Sequence, residues 1–335
     1  MTKIQDIAYY LPEHQVSNAQ LHAENPTWDM KRVEARAGVV TRHVSGKNET
    51  SLDLAEKACR KLFQSSPQAQ GQVDGLMFCT QTPDHIMPPN SCILHSSLDL
   101  PEDTFVFDFN LACSGYIYGL ALAHGLILSQ TCRNILFVTA DTYSKLIHPQ
   151  DRAARVLFGD GAAASLISAS DSHEGIIDIQ CSTAGRHYEK FMVPAGGYRM
   201  PRTTSTHQAL TDGSGNVRTL ENIRMDGMGV MAFVNERVPA QVLKILQRNR
   251  LGVEDIDLFI FHQASKMALD SITRLLKVPP GKVFRNLREK GNTVSASIPI
   301  ALKDAIDSGR VSPGQKILLC GFGVGLSWGS AILQM

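Results

Sequence analysis

"VDGLMFCTQ", residues 73–81, is an apolar run that ends on polar residues, and "DIDLFIFHQ", residues 255–263, resembles it. Both read as strands buried on two faces, since Leu, Met, Ile and Phe succeed one another without polar alternation. Two further pairs occur in the same order. "SQTCRNILFVTAD" (129–141) is matched by "VSPGQKILLCGFG" (311–323), and "FGDGAAASLI" (158–167) by "LSWGSAILQM" (326–335). The members of the pairs lie roughly 180 residues apart, which predicts a duplicated α/β unit. One half is expected over residues 1–175 and the other over 176–335, with "TFVFDFNLA" and "KVFRN" as further strands. The stretch 186–222 is polar, rich in Gly, Thr and Pro, and aperiodic. It reads as an inserted loop at the start of the second half, either a surface connection or a lid.

The 335 residues include 43% hydrophobic side chains, enough for a substantial core. Thirty-three basic against thirty-two acidic residues leave a formal charge of +1, which gives no global attraction to nucleic acid or anionic membrane. The N-terminus lacks the apolar core of a signal peptide, and no apolar run is long enough to span a bilayer, so a cytoplasmic location is expected. Seven scattered cysteines (59, 79, 92, 113, 132, 181 and 320) contain no C-x-x-C pair and argue against a disulfide framework or zinc ribbon.

Chemistry is best sought at Cys113. It stands in "DFNLACSGYIYGL" (108–120), between an extended segment and a run that is apolar nearly all round. Such a helix belongs in the middle of a protein, with Gly115, Gly119, Ala121 and Ala123 permitting close approach. A cysteine at its first turn meets free N–H groups and the positive end of the helix dipole, which favours thiolate. A buried inert cysteine is the plainer alternative. His262 ends a buried strand, and Asn292 lies in "REKGNTVSASIP" before a small-residue helix start; a core histidine and a turn asparagine are the corresponding structural readings. The glycines of "CGFGVGLSWGS" (320–330) lack the G-x-G-x-x-G spacing of a dinucleotide site, which leaves a tight loop whose N–H groups approach a ligand. Cys79, His85, Cys92 and His95 match no common metal spacing. From Gln263 to Gly291 there are seven basic residues against two acidic ones, a local excess that suits either a solvated face or a phosphopantetheine or acidic carrier.

Taken together, "ACSG", "FHQAS", "GNTVSAS", "DRAARVLFGDGAA" and "GFGVGLSWGSA" resemble β-ketoacyl-acyl carrier protein synthase III over almost the whole chain. The resemblance implies an α/β thiolase fold with duplicated halves in αβαβα layers, usually a homodimer, serving lipid metabolism such as fatty acid biosynthesis. It makes Cys113 the nucleophile that accepts an acyl group, and His262 and Asn292 the donors to a malonyl thioester that loses CO2. Gly323, Val324 and Gly325 become an oxyanion-hole loop. No metal or redox cofactor is implied, since coenzyme A or phosphopantetheine thioesters are the substrates. Acyl carrier protein, acyl-coenzyme A or both are the expected partners.

The chain departs from the family pattern at several positions. Where the family often has a Trp that stacks on the coenzyme A adenine, this chain has Arg32, and Trp28 lies four residues too early; Arg36 and Arg152 remain as coenzyme A contacts. Met87 takes the place of an aromatic residue that reaches across the dimer to the partner's acyl pocket. Met267 takes that of a carrier-binding Arg, with Lys266, Arg274, Lys277, Arg285 and Arg288 as replacements. Two enzymatic alternatives stand beside condensation: transfer of the acyl group from Cys113 to an alcohol or amine, and a papain-like hydrolase, whose local cysteine signature is missing. A non-catalytic subunit on the same fold would leave three polar groups without a use.

Overall fold

The computed structural model describes residues 1–170, 172 and 174–335. The strands of its two large sheets are β1 (Thr2–Tyr10), β2 (Gly75–Cys79), β3 (Phe105–Phe109), β4 (Asn134–Asp141), β5 (Gly161–Ala169), β6 (Gly175–Thr183), β7 (Leu258–Phe261), β8 (Lys316–Gly323) and β9 (Ser327–Gln334). They form two sheets of one design. The first runs β1-β5-β4-β2-β3 and the second β6-β9-β8-β7. In each, a parallel pair (β2 with β4, β7 with β8) is followed outward by two antiparallel neighbours. The three pairs of similar segments are thus the same three strands of each sheet. The first sheet is complete at Ala169, and the second opens at Gly175.

The helices that position the site are α1 (Met30–Ala37), α2 (Ser51–Ser65), α3 (Asn90–Ser97), α4 (Gly115–Leu128), α5 (Gly227–Arg248), α6 (Lys266–Leu275) and α7 (Ser297–Asp307). Helices α2 and α3 cover the outer face of the first sheet, α5 that of the second with α6 packed beside it, and α4 and α7 touch both sheets from between them. The resulting layers are αβαβα. Helix α3 starts after Pro89, which offers no side-chain cap, so the Asp108 carboxylate of β3 accepts from the Asn90 and Ser91 N–H groups at 2.7 and 2.8 Å.

Double burial of the strands follows from this layering. Leu76 and Phe78 of β2 pack with Leu54, Ala58 and Leu62 of α2, whereas Met77 and Cys79 face Tyr116 and Ile117 of α4. The second sheet divides likewise. Leu258 and Ile260 face the middle, and Phe259 and Phe261 face α5 and α6. The expected strand in "KVFRN" shrinks to one parallel bridge, Phe259 with Val283, so the second sheet lacks a full counterpart of β3. The inserted loop carries more order than its composition suggests: Leu210–Thr211 pairs with Val217–Arg218, and Phe191–Met192 with Arg224–Met225. Arg218 pins it, donating to the buried Asp151 at 2.6 and 2.9 Å and to Asp212 at 2.8 Å.

Helix α4 presses so closely on the first sheet that a Cβ at Gly119 would lie 2.0 Å from the Phe137 ring, itself stacked on Tyr116 at 5.4 Å. Gly119→Ala is therefore expected to destabilise the protein by about 1–3 kcal/mol through overpacking. Urea unfolding should show that loss, and Phe137→Leu in the same chain should recover part of it.

Candidate active site

Cys113 sits in the turn between β3 and α4. Helix α4 begins at Gly115, so the thiol lies just outside the first helical turn, 3% exposed, with Ser114 tied to Ser327 through their hydroxyls at 2.7 Å. Burial pushes the thiol above its ordinary pKa, the nearby Asp141 carboxyl pushes it the same way, and the residue's own N–H pulls it down. This corrects the expectation of a thiolate drawn from the helix terminus. A helix dipole is worth about 0.3–1 kcal/mol, less than the several kcal/mol lost when an unpaired anion is buried. The resting group is a thiol.

His262 continues β7, its N–H donating to the Cys320 carbonyl at 2.8 Å. Its ring lies edge-on to Phe322 at 5.5 Å and is 1% exposed, and burial lowers its pKa to about 3. The imidazole is neutral, and its tautomer follows from its neighbours. Ser297 Oγ accepts from the Gln263 N–H at 3.2 Å, and its own proton finds no acceptor among the described residues other than His262 Nδ1, at 2.6 Å, which assigns it there. The ring proton is then on Nε2, on the side away from Ser297.

Asn292 is held by the other half of the molecule. Its N–H donates to the Leu157 carbonyl, and its carbonyl accepts from the Gly159 N–H, both at 2.9 Å, forming a parallel bridge with Phe158. The close fit needs glycine at 159, where a Cβ would lie 2.6 Å from the Lys290 carbonyl. The Asn292 side-chain oxygen accepts from the Val294 N–H at 2.9 Å, which leaves its NH2 as the outward donor. Behind this turn Ser295 donates to the buried Asp141 at 2.5 Å, while the Gln81 N–H donates to the other Asp141 oxygen at 2.8 Å. Burial raises Asp141 to about 7 despite those hydrogen bonds.

Cys113, His262 and Asn292 line one cavity of about 600 Å3. Gly323 closes it beside the thiol: a Cβ there would lie 3.1 Å from the sulfur. Arg32, Arg36 and Arg152 line the same cavity from its more exposed end, with Met267 and the loop residue Ser214. Val324 and Gly325 line a neighbouring cavity instead, and Met87, 77% exposed, lines neither of these two. Trp28 is a packing residue against Leu21 and Val156. Of the basic positions, Lys266 and Arg285 share Asp270 at 2.6 and 2.5 Å, and Arg288 pairs with Glu34 at 3.2 Å. Arg274 and Lys277 are exposed, with no carboxylate partner among the described residues. Sequence reading missed Ser297, Asp141 and the Leu157–Gly159 clamp; the last lies in "RVLFGDG", which stood out as a motif without a role.

Two like-ordered sheets around paired central helices, with a cysteine, a histidine and an asparagine meeting in one buried cavity, define a condensing enzyme of the thiolase fold. Residues 107–185 match the family model for 3-oxoacyl-[acyl-carrier-protein (ACP)] synthase III, and residues 246–335 match the model for its C-terminal part. The chain is 36% identical to the β-ketoacyl-[acyl-carrier-protein] synthase III of Campylobacter concisus, over 98% of this chain and 95% of that protein. A crystal structure of a 3-oxoacyl-(acyl-carrier-protein) synthase III superposes with a TM-score of 0.97 at 38% identity, covering 100% of this chain and 99% of the other. The synthase III of Thermus thermophilus superposes at 0.88 with 31% identity, covering 99% of each. The chain belongs to the β-ketoacyl-acyl carrier protein synthase III family, and the papain-like reading falls with the fold. No helix of the described residues is long and apolar enough to cross a membrane.

The depressed His262 pKa carries a stability signature. Between 6.5 and about 3 the unfolded chain binds a proton that the native imidazole refuses, so stability falls as pH drops through that window. Asp141, raised from 3.8 to about 7, acts in the opposite sense, losing stability as pH rises, and is common to wild type and variant. Wild type should therefore lose about 2 kcal/mol more than His262→Ala between pH 7 and pH 5. Urea midpoints at the two pH values measure the difference, and equal slopes would contradict a neutral buried imidazole.

Proposed function

We propose that this chain is an acyltransferase that takes an acyl group from a thioester onto Cys113 and joins it to a malonyl thioester by decarboxylative condensation. The observation that carries this reading is the cavity in which a buried thiol shares its walls with two side chains whose outward groups are donors, His262 Nε2–H and Asn292 Nδ2–H. In the first stage the Cys113 sulfur forms a bond to the acyl carbon, the donor's carbon–sulfur bond breaks, and the thiol proton leaves with the departing thiol. The N–H groups of Cys113 and of the Gly323–Gly325 loop stabilise the oxyanion of that step. In the second stage the malonyl carboxylate leaves as CO2, and the electron pair of the broken carbon–carbon bond becomes an enolate. His262 and Asn292 donate to its oxygen. The enolate carbon then attacks the acyl carbonyl, and the carbon–sulfur bond to Cys113 breaks with its electron pair going to sulfur, which takes up a proton from solvent to return the thiol. Both donors are neutral, and neutrality is an advantage here, because an enolate gains from fixed dipoles in a water-poor site, whereas a charged imidazole would first have to be buried.

The substrates reach the site through the mouth lined by Arg32, Arg36 and Arg152, whose guanidinium groups suit the phosphates of coenzyme A or phosphopantetheine. Arg274 and Lys277, together with Lys266, Arg285 and Arg288, present the basic surface for an acidic carrier protein. The chain acts as a homodimer. Edge strand β3 exposes Phe105, and α4 exposes Leu122 and Leu128, a surface that a second copy would cover. Met87, exposed in the protomer, is then free to reach the partner's acyl pocket.

His262→Ala or Asn292→Ala should keep acylation of Cys113, seen by intact mass, and lower CO2 release from malonyl thioester by about 10²–10³-fold. Cys113→Ala should abolish acylation. Ser297→Ala, which removes the hydroxyl that sets the His262 tautomer, should cost about tenfold in CO2 release, with rescue by Ser297→Thr. An acylated Cys113 with no CO2 released would turn the assignment to acyl transfer onto oxygen or nitrogen.

The carrier surface makes a separate prediction. Arg274→Glu with Lys277→Glu should raise KM for malonyl-carrier protein by about tenfold or more while kcat holds, because exposed charges act on encounter rather than on bond making. Malonyl-pantetheine, which lacks the protein, should show no such change.

A further inference from the structure

A second cavity, of about 310 Å3, adjoins the first at Phe191, which lines both. Val324 and Gly325 wall it, continuing the strand whose Gly323 abuts the thiol, and so does Asn110, from the turn that carries Cys113. Tyr143, another of its walls, packs in one cluster with Cys113, Phe158 and Phe191. The position is that of a receptacle for whatever Cys113 accepts. Much of its lining is apolar, including Leu146, Val193 and Ile223, yet one wall is a chain of polar groups. Tyr143, 2% exposed, donates its hydroxyl to Gln81 Oε1 at 2.5 Å, and Gln81 Nε2 donates to Asn110 Oδ1 at 2.8 Å.

The direction of this chain decides what it can recognise. Both amide oxygens are already supplied with a proton. Each keeps a second lone pair, which costs little when unmet, whereas the hydrogens without a protein partner among the described residues all belong to N–H donors: the second hydrogen of Gln81 Nε2 and both hydrogens of Asn110 Nδ2. A hydrocarbon chain laid against them would strip their water and give nothing back. A carboxylate would find no cation, since no charged side chain among the described residues lines the cavity. A neutral oxygen acceptor satisfies both conditions. We propose that Gln81, Asn110 and Tyr143 select a short, neutral acyl group bearing a hydrogen-bond-accepting oxygen over the hydrocarbon group of the same length. This inference rests on the acylation of Cys113 proposed above and names the class of acyl group taken.

The test is the rate of Cys113 acylation, followed by intact mass, with acetyl, butyryl, 3-hydroxybutyryl and 4-hydroxybutyryl groups offered as coenzyme A and as pantetheine thioesters. At least one hydroxybutyryl thioester should load tenfold or more faster than butyryl. Gln81→Leu should bring that ratio to one or below, and Tyr143→Phe, which removes only the hydroxyl anchoring Gln81, should lower it severalfold. Butyryl loading as fast as both hydroxylated groups, or a ratio unmoved by either folded variant, overturns the proposal while acetyl loading keeps the acyl-Cys113 reading intact. Failure of every thioester to load Cys113 overturns both.

Discussion

The N-terminal part of helix α4, Gly115 to Leu120, is enclosed between the two sheets, and much else follows from that constraint. Its residues are apolar nearly all round, so it is stable only with a sheet on either side, and the two sheets of the duplicated fold supply those faces. Enclosure extends to the turn before the helix. The Cys113 thiol is therefore set where water is scarce, between the end of β3 and the glycine-bearing end of β8, with no room for a side chain at Gly323. A site placed at such a seam draws its members from both halves. Cys113 comes from the first, His262 and Asn292 from the second, and Asn292 is gripped by the Leu157–Gly159 backbone of the first.

The same enclosure sets the electrostatics. Burial holds the thiol protonated and the imidazole neutral, so the resting pair carries no net charge to be solvated. Charge arises only as bonds are made and broken, which is when fixed donors act most strongly in a low dielectric. Asp141 is the one carboxyl close behind this region that raises the thiol, and its own upward shift to about 7 keeps it from being a full anion there at neutral pH. Its hydrogen bonds with Gln81 and Ser295 join the wall of the second cavity to the Asn292 turn.

Strand identity and duplication were legible because strands buried on both faces must be written in nearly continuous apolar residues, and three such runs recur in order. Cys113, His262 and Asn292 were legible as breaks in that pattern: each is a polar group where a buried element ends or is about to begin. Ser297 was not, because a serine opening a helix reads as a cap, and its bond to His262 joins residues that only the fold brings together. The charge state of Cys113 was misjudged for a related reason. Sequence shows which helix end a thiol is near, but not how much protein covers it.

Divergence between the halves explains why one polar strand end became a catalytic neighbour and the other a wall of the second cavity. In the aligned segments "VDGLMFCTQ" and "DIDLFIFHQ", His262 stands opposite Thr80 and Gln263 opposite Gln81. Gln263 is wholly occupied by backbone: its Nε2 donates to the Phe261 and Phe284 carbonyls at 2.8 and 3.3 Å, and its Oε1 accepts from the Asn286 N–H at 3.0 Å. It braces the loop beside the broken counterpart of β3. In the first half β3 is a full strand and needs no such brace, so Gln81 turns to side chains and keeps an N–H free. A glutamine at that strand end thus braces backbone in one copy, and the completed strand of the other leaves it on the wall of the second cavity. The polar wall near Cys113 is accordingly not left over from a packing requirement, since the bracing role belongs to Gln263 and has no equivalent at Gln81.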